Sequence, residues 1–196
     1  MWHSHAITRE QREKKNGHRG AVVWLTGLPG SGKSTIAHAV EENLHHLGLQ
    51  TVVLDGDNIR HGLCADLGFS IADRNENVRR TGQVAKLFAE QGMVVLVALV
   101  SPINSAREQV RQTLSAGDFL EVYCNCPLHL CRERDPKGMY AKAEKGMIPE
   151  FTGVSAPYEA PLDPAITLDS GNESVEESVT RLSRFLLGKL RVAAAP

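Results

Sequence analysis

At 196 residues, with 42% hydrophobic and 23% charged side chains, the chain is long enough to bury a core as one globular α/β domain. Twenty-two Lys+Arg against 23 Asp+Glu leave a formal net charge of −1, which excludes a global basic field that draws the protein to nucleic acid or an anionic membrane. The longest apolar stretch, Met93 to Val100, is too short to span a bilayer, and Met1-Trp2-His3-Ser4-His5 carries no apolar leader, so the sequence reads as cytoplasmic with small-molecule partners.

In chain order, residues 1–20 are polar and read as an N-terminal arm or short helix, with Arg9, Arg12, Lys14 and Lys15 as a solvated face. From residue 21 to 196 short β-rich runs alternate with helical patterns. The predicted strands are Ala21–Thr26, Thr51–Asp55, Met93–Leu99, Phe119–Asn125 and Ala165–Leu168. The predicted helices are Ser34–Leu47, Arg74–Gln91, Ser105–Ser115, Pro127–Arg134 and Ser174–Leu190. This alternation predicts one three-layer α/β domain with a central, mostly five-stranded parallel sheet and helices on both faces. Met93–Val100 has no polar alternation, as in a strand buried on both faces, and is expected near the middle of the sheet. Residues 135–164, dense in Gly, Pro, Lys and Tyr, are too long for an idle connection and read as an active-site lid. Cys64, Cys124, Cys126 and Cys131 lack metal-ligand spacing and read as buried free thiols.

Chemistry enters at Gly27-Leu28-Pro29-Gly30-Ser31-Gly32-Lys33-Ser34-Thr35, which follows the first strand and opens a helix. In that context the pattern is a phosphate-binding P-loop: backbone N–H groups and the helix N-terminus face an anion, Lys33 reaches the β/γ-phosphates and Ser34 can ligate Mg²⁺. ATP or GTP is therefore a ligand. No Asn-Lys-x-Asp base-reading motif is present, which argues against a GTPase, and the Met93–Val100 strand ends in Ser101-Pro102 rather than the acidic residue of a large ATPase.

The acidic pair lies instead on Asp55-Gly56-Asp57-Asn58, after the second strand and beside the P-loop. One carboxylate, Asp55, suits Mg²⁺ held through water; the other, Asp57, suits orientation and deprotonation of an acceptor hydroxyl. The structural alternative is a turn or helix cap, which Asp and Asn also favour. Beyond it come Arg60, His61, Phe69, Arg74, Asn77, Arg79 and Arg80, with Arg74, Asn77 and Arg80 or Thr81 at helical spacing. Planar guanidinium forks beside two carboxylates and a P-loop imply an anionic second substrate, and Phe69 can stack on a base.

Taken together with Asp66-Leu67-Gly68-Phe69-Ser70, Asp73-Arg74-Asn75-Glu76-Asn77-Val78-Arg79-Arg80, Arg134-Asp135-Pro136-Lys137-Gly138, Phe151-Thr152-Gly153 and Pro157-Tyr158-Glu159, these motifs cover nearly the whole chain, which resembles the adenylylsulfate kinases. The resemblance implies a P-loop kinase fold and MgATP-dependent phosphorylation of the 3′-hydroxyl of adenosine 5′-phosphosulfate, giving 3′-phosphoadenylyl sulfate and ADP in sulfate activation. It implies that Asp57, Arg60, Phe69, Arg74, Asn77, Arg80, Ser101, Ile103, Lys137 and Phe151 bind the acceptor, with Lys137 and Phe151 on the lid and Phe69 and Phe151 sandwiching one ring. It also implies a homodimer and a functional link to the ATP sulfurylase that makes the substrate. The family serine matching Ser101 is described as a phosphorylated intermediate; direct in-line transfer is the physical expectation here, because the sequence offers Ser101 no evident basic partner.

The chain departs from the family pattern at Pro29, at Ile103-Asn104 where an aromatic-Arg pair is usual, at Pro149-Glu150 and at Val154-Ser155. Two rival readings follow: a kinase for another small molecule, and a binding module that keeps the fold without turnover.

Overall fold

A computed structural model describes residues 6–191. Residues 1–5, where the absence of a leader was read, and 192–196 lie outside the described residues. Helix α1 (Arg9–Asn16) begins at Thr8, whose hydroxyl caps it while Gln11 reaches back to the Thr8 N–H. Then follow β1 (Ala21–Thr26), α2 (Lys33–His46), β2 (Thr51–Asp55), α3 (Gly56–Ile59), α4 (Ile71–Glu90), β3 (Val94–Ala98), α5 (Asn104–Gln112), β4 (Phe119–Cys124), α6 (Leu128–Arg134), α7 (Met139–Glu144), β5 (Ile166–Leu168) and α8 (Val175–Leu190).

All five expected strands are present and pair in parallel in the order β2-β3-β1-β4-β5. Three of them lose end residues. The β3 strand lies between β2 and β1, in keeping with its unbroken apolar run, and β1 takes the middle place. Because side chains alternate across a strand, β1 sends Ala21, Val23 and Leu25 to one face and Val22 and Trp24 to the other. On the first face they meet Ile36, Val40 and Leu44 of α2 and Leu182, Leu186 and Leu190 of α8. On the second they meet Val78, Ala85 and Ala89 of α4 and Ala106 and Val110 of α5. The parallel register aligns the carboxyl ends of β1, β2 and β3, with Leu25 and Asp55 both opposite Ala98, so three loops converge on one edge.

One expectation needs correction, and two short helices stand where a turn and a loop were expected. The arm is not simply solvated: Arg9 of α1 pairs with Asp118, whose carboxylate is buried, and with Glu13, and donates to Gly20 O at 2.8 Å. The acidic turn after β2 is a one-turn helix, with Asp55 Oδ1 accepting the Asp57 N–H at 2.9 Å, so the capping alternative is realised. The lid also contains a helix, α7, that glycine-rich composition concealed. It forms because the Asp135 carboxylate accepts the N–H groups of Met139, Tyr140 and Ala141 at 2.8, 3.1 and 3.1 Å. The lid has its own small core, in which Tyr140, Ala143 and Phe151 pack on Cys126 and Cys131.

The α4 and α5 helices approach closely at Gly82, where an added Cβ would lie 2.6 Å from Val110 Cγ2. Gly82→Val overfills this contact and is expected to lower stability by about 1–3 kcal/mol, read as a reduced urea midpoint at unchanged m.

Candidate active site

A cavity of about 820 Å³ opens at the carboxyl edge of the sheet. Its floor is Pro29 to Ile36 of the P-loop and α2; its walls include Asp55, Asp57, Ser101 and Pro102; its cover is Lys137, Met139, Tyr140 and Phe151 from the lid. At one end stand Arg60, Phe69, Arg74 and Asn77, at the other Arg134, Ser170, Glu173 and Ser174. One space thus joins the phosphate loop to the basic, aromatic series that sequence reasoning grouped with it.

The P-loop curls because Gly30 takes a φ of +79°, and a Cβ there would lie 2.9 Å from Cys131 O. Lys33, at the first position of α2, is 8% exposed. Its ammonium donates to Gly27 O (3.1 Å), Leu28 O (2.8 Å) and Ser31 Oγ (3.3 Å). Gly27 and Leu28 therefore act beneath the cavity, through their carbonyls, while Pro29 to Thr35 line it. Burial pulls the Lys33 pKa below the ordinary lysine value, with the carboxylates of Asp55 and Asp57 opposing it.

Asp57 stands at the mouth, 60% exposed, and its carboxylate pairs with Lys137 of the lid. Asp55 is buried; one oxygen caps α3 and the residue borders the cavity opposite Ser34. Ser34 and Asp55 are hard oxygen donors beside the phosphate loop, the chemistry Mg²⁺ prefers. Among the described residues no group of three or more His, Cys, Asp or Glu lies together as a metal cage. Cys64, Cys124, Cys126 and Cys131 are free and buried, and desolvation pushes the Cys124 thiol up to about 12.

Beside Phe69, Arg60 Nη1 donates to Leu67 O (3.2 Å) and Gly68 O (2.9 Å), shaping the loop that presents this ring. The Phe69 ring is 44% exposed, with the Arg60 guanidinium 4.3 Å and that of Arg74 5.6 Å from its centroid. Arg74 Nη2 also holds the lid through Glu150 O at 3.0 Å. Asn77 is 3% exposed and lines the cavity, and its Nδ2 has no hydrogen-bond partner among the described residues. A buried amide left in this state is costly unless a ligand accepts from it.

The structure does not gather every expected residue. Arg80 lies outside the cavity, held by both oxygens of Asp66 (2.6 and 2.9 Å) and by Glu76 (2.9 Å), because the α4 face it shares with Glu76 points away from the site. Ile103 is outside as well, packed against the α4–α5 side of the sheet. Phe69 and Phe151 border the same space without stacking on one another: Phe151 is buried, edge-on to Tyr140 with centroids 5.1 Å apart. Sequence reasoning missed Tyr140, whose hydroxyl donates to Pro29 O at 3.0 Å, joining lid to P-loop. It also missed Trp24, which donates to Ser101 Oγ at 3.0 Å; nothing in an apolar strand signals such a role.

Residues 19–169 match the family model described as adenylylsulphate kinase. The chain belongs to the adenylylsulfate kinase family. It is 54% identical over 191 residues to the adenylyl-sulfate kinase of Citrobacter koseri, covering 97% of this chain and 92% of that one. With the adenylyl-sulfate kinase of Acaryochloris marina identity is 52% over 186 residues, 95% of this chain and 91% of the relative. Among solved structures, the Mycobacterium tuberculosis APS kinase in complex with AMPPNP and APS superposes with a TM-score of 0.82 at 49% identity, over 86% of this chain and 98% of that one. The adenylylsulfate kinase activity, ATP-dependent phosphoryl transfer to an alcohol, is thus this chain's activity, and the P-loop kinase fold is its fold.

Replacing the buried ammonium tests the nucleotide half alone. Lys33→Met is expected to fold, since the site loses a desolvated charge, and to lose most of the thermal stabilisation that MgATP gives the parent protein, which is about 2.7 kcal/mol at a hundredfold excess over Kd. Equal stabilisation in the two proteins would remove Lys33 from phosphate binding.

Proposed function

We propose that ATP lies along Pro29–Thr35 with its γ-phosphate toward Asp57, and that adenylyl sulfate occupies the half lined by Arg60, Phe69, Arg74 and Asn77. The observation that carries this reading is the single cavity in which a P-loop and the unsatisfied, buried Asn77 amide face the same space. A base-bearing anion satisfies both features of the acceptor half: its ring meets Phe69, and its phosphate and sulfate oxygens meet the guanidinium groups.

Asp57 is the group placed to accept the proton of the acceptor 3′-hydroxyl as the γ-phosphoryl group transfers in line. Its carboxylate pairs with Lys137, and acceptor binding exchanges this contact for two others: Asp57 with the hydroxyl, Lys137 with an anionic oxygen. Lys33 neutralises charge on the transferring group, and Ser34 with Asp55 would hold Mg²⁺, which supplies further charge neutralisation when bound. The lid covers both halves and excludes water.

Ser101 has a positioning role in this scheme. It is 3% exposed, with its hydroxyl in a chain from Trp24 Nε1 (3.0 Å) to Thr26 Oγ1 (3.1 Å), and Thr26 in turn donates to Val100 O (2.8 Å). No carboxylate or imidazole touches this hydroxyl among the described residues, so nothing accepts the proton a covalent step must remove.

No described helix is long and apolar enough to cross a membrane. A cytoplasmic setting is proposed with four free, buried thiols in keeping. So is the homodimer; α4 exposes Leu87 and Phe88, a related APS kinase from Thiobacillus denitrificans is described as hexameric, and sedimentation of the purified chain decides between these states. A functional link to the ATP sulfurylase that supplies the acceptor belongs to the same proposal.

Two measurements test the mechanism. Asp57→Ala should lower kcat for ADP release with adenylyl sulfate by about 10²-fold or more, and an unchanged kcat removes Asp57 from proton transfer. Ser101→Ala should keep measurable turnover, with no phosphoserine in the parent protein by intact mass during turnover; complete loss together with a phosphorylated parent would establish the covalent route.

A further inference from the structure

The lid is held unevenly. Its tip rests on contacts of exposed groups, Lys137 with Asp57 and Arg74 with Glu150 O, which water screens and competes for. Its returning end is held at Glu159, itself exposed, by three hydrogen bonds, two of them through its backbone. The Glu159 N–H donates to Pro102 O (2.8 Å), Arg107 Nη2 donates to Glu159 O (2.9 Å), and the Glu159 carboxylate accepts the Asn104 N–H (2.6 Å). That N–H is the first of α5, whose own N-cap residue, Ile103, offers no side-chain acceptor, so Glu159 supplies the missing cap and its charge faces a helix N-terminus.

Behind this contact stands Arg107, 2% exposed. Its guanidinium donates to Glu121 Oε1 (2.6 Å), to Ser101 O and to Asn104 Oδ1 as well as to Glu159 O. The second oxygen of the buried Glu121 accepts from Arg111 at 2.8 Å. One planar fork therefore ties the sheet, the Ser101 turn and the lid's return into a single body. The neighbouring residue extends it: Tyr158 OH meets Thr26 Oγ1 at 3.0 Å, and its ring stacks on Tyr123 with centroids 6.2 Å apart. Ser101 itself has a φ of 38°, which a non-glycine residue keeps only where its surroundings hold it. Glu159 does not border the cavity, while Pro102, whose carbonyl its N–H meets, and Ser101, held through Arg107, do.

We propose that Glu159 is a positioning residue for the phosphoryl transfer: its carboxylate, seated on the start of α5, works with its backbone carbonyl, held by Arg107, to register the lid's returning end against the Ser101-Pro102 turn, so that the tip closes about a fixed pivot. This rests on the reading of the cavity as an adenylyl sulfate site. Loss of the carboxylate leaves the nucleotide floor untouched but lets the covering residues, Phe151 and Lys137, settle out of register over the acceptor.

The test compares Glu159→Ala with Glu159→Gln in the full chain, because the glutamine oxygen still accepts the Asn104 N–H. The alanine variant should raise KM for adenylyl sulfate by about tenfold, the loss of one charge-assisted hydrogen bond, and increase ATP hydrolysis in the absence of acceptor, with KM for ATP little moved. Glutamine should recover most of the acceptor KM. An unmoved acceptor KM in Glu159→Ala, equal impairment in both variants, or a fall in Tm with kcat lost and both KM values intact would overturn the proposal. Hydrogen exchange on the ligand-free proteins reads the pivot without any acceptor: the Asn104 and Glu159 amides should exchange faster in the alanine than in the glutamine variant, and equal rates overturn it. Failure of the parent protein to turn over adenylyl sulfate would instead count against the acceptor assignment, with the exchange result still deciding the role of Glu159.

Discussion

A lysine ammonium held under a backbone loop is the constraint on which the site's geometry depends. Lys33 is buried at the start of α2, where its ammonium donates to two carbonyls and a hydroxyl of its own loop. Such a group is tolerable because the surrounding dipoles partly replace water, and it becomes favourable when a polyphosphate arrives. The arrangement requires β1 to deliver the loop at the sheet's carboxyl edge and α2 to leave it immediately. The apolar faces of β1 and α2, packed together in one cluster, enforce both.

The acceptor half follows a complementary logic. Its groups already have partners within the chain: Asp57 holds Lys137, Arg74 holds Glu150 O and Phe69 O, and Arg60 holds the loop that carries Phe69. Each of these contacts is made by residues that are partly exposed, so each is exchangeable. Asn77 is the exception, buried with no partner for its Nδ2 among the described residues, which is why the proposed acceptor site is centred on it.

Much of this was legible in the sequence, for identifiable reasons. The strands were readable because a doubly covered parallel sheet needs uninterrupted apolar runs such as Val94–Ala98, and the P-loop because its glycines and Lys33 have few other uses in that context. The one-turn α3 and the lid helix α7 were not, since both are specified by a single capping aspartate, Asp55 and Asp135, rather than by periodicity. Arg80 misled for the same kind of reason: spacing fixes which helix face a residue shares, but not whether that face turns to the cavity or to Asp66 and Glu76. Trp24 and Arg107 were invisible as site residues because, in sequence, one is a core ring and the other a helix-surface charge; only tertiary packing brings both to Ser101.

The manner in which Asp135 organises α7 has a bearing on how the site closes. Three N–H groups of that helix are gathered by a carboxylate that sits at the start of the lid itself, and the helix is packed on a miniature core with Phe151. The segment therefore has internal order of its own, and on the proposed reading it would close as a lever rather than a curtain. Little chain entropy remains to be surrendered on closing, so more of the acceptor's interaction free energy is available for affinity and alignment than in a site whose cover must fold around its ligand.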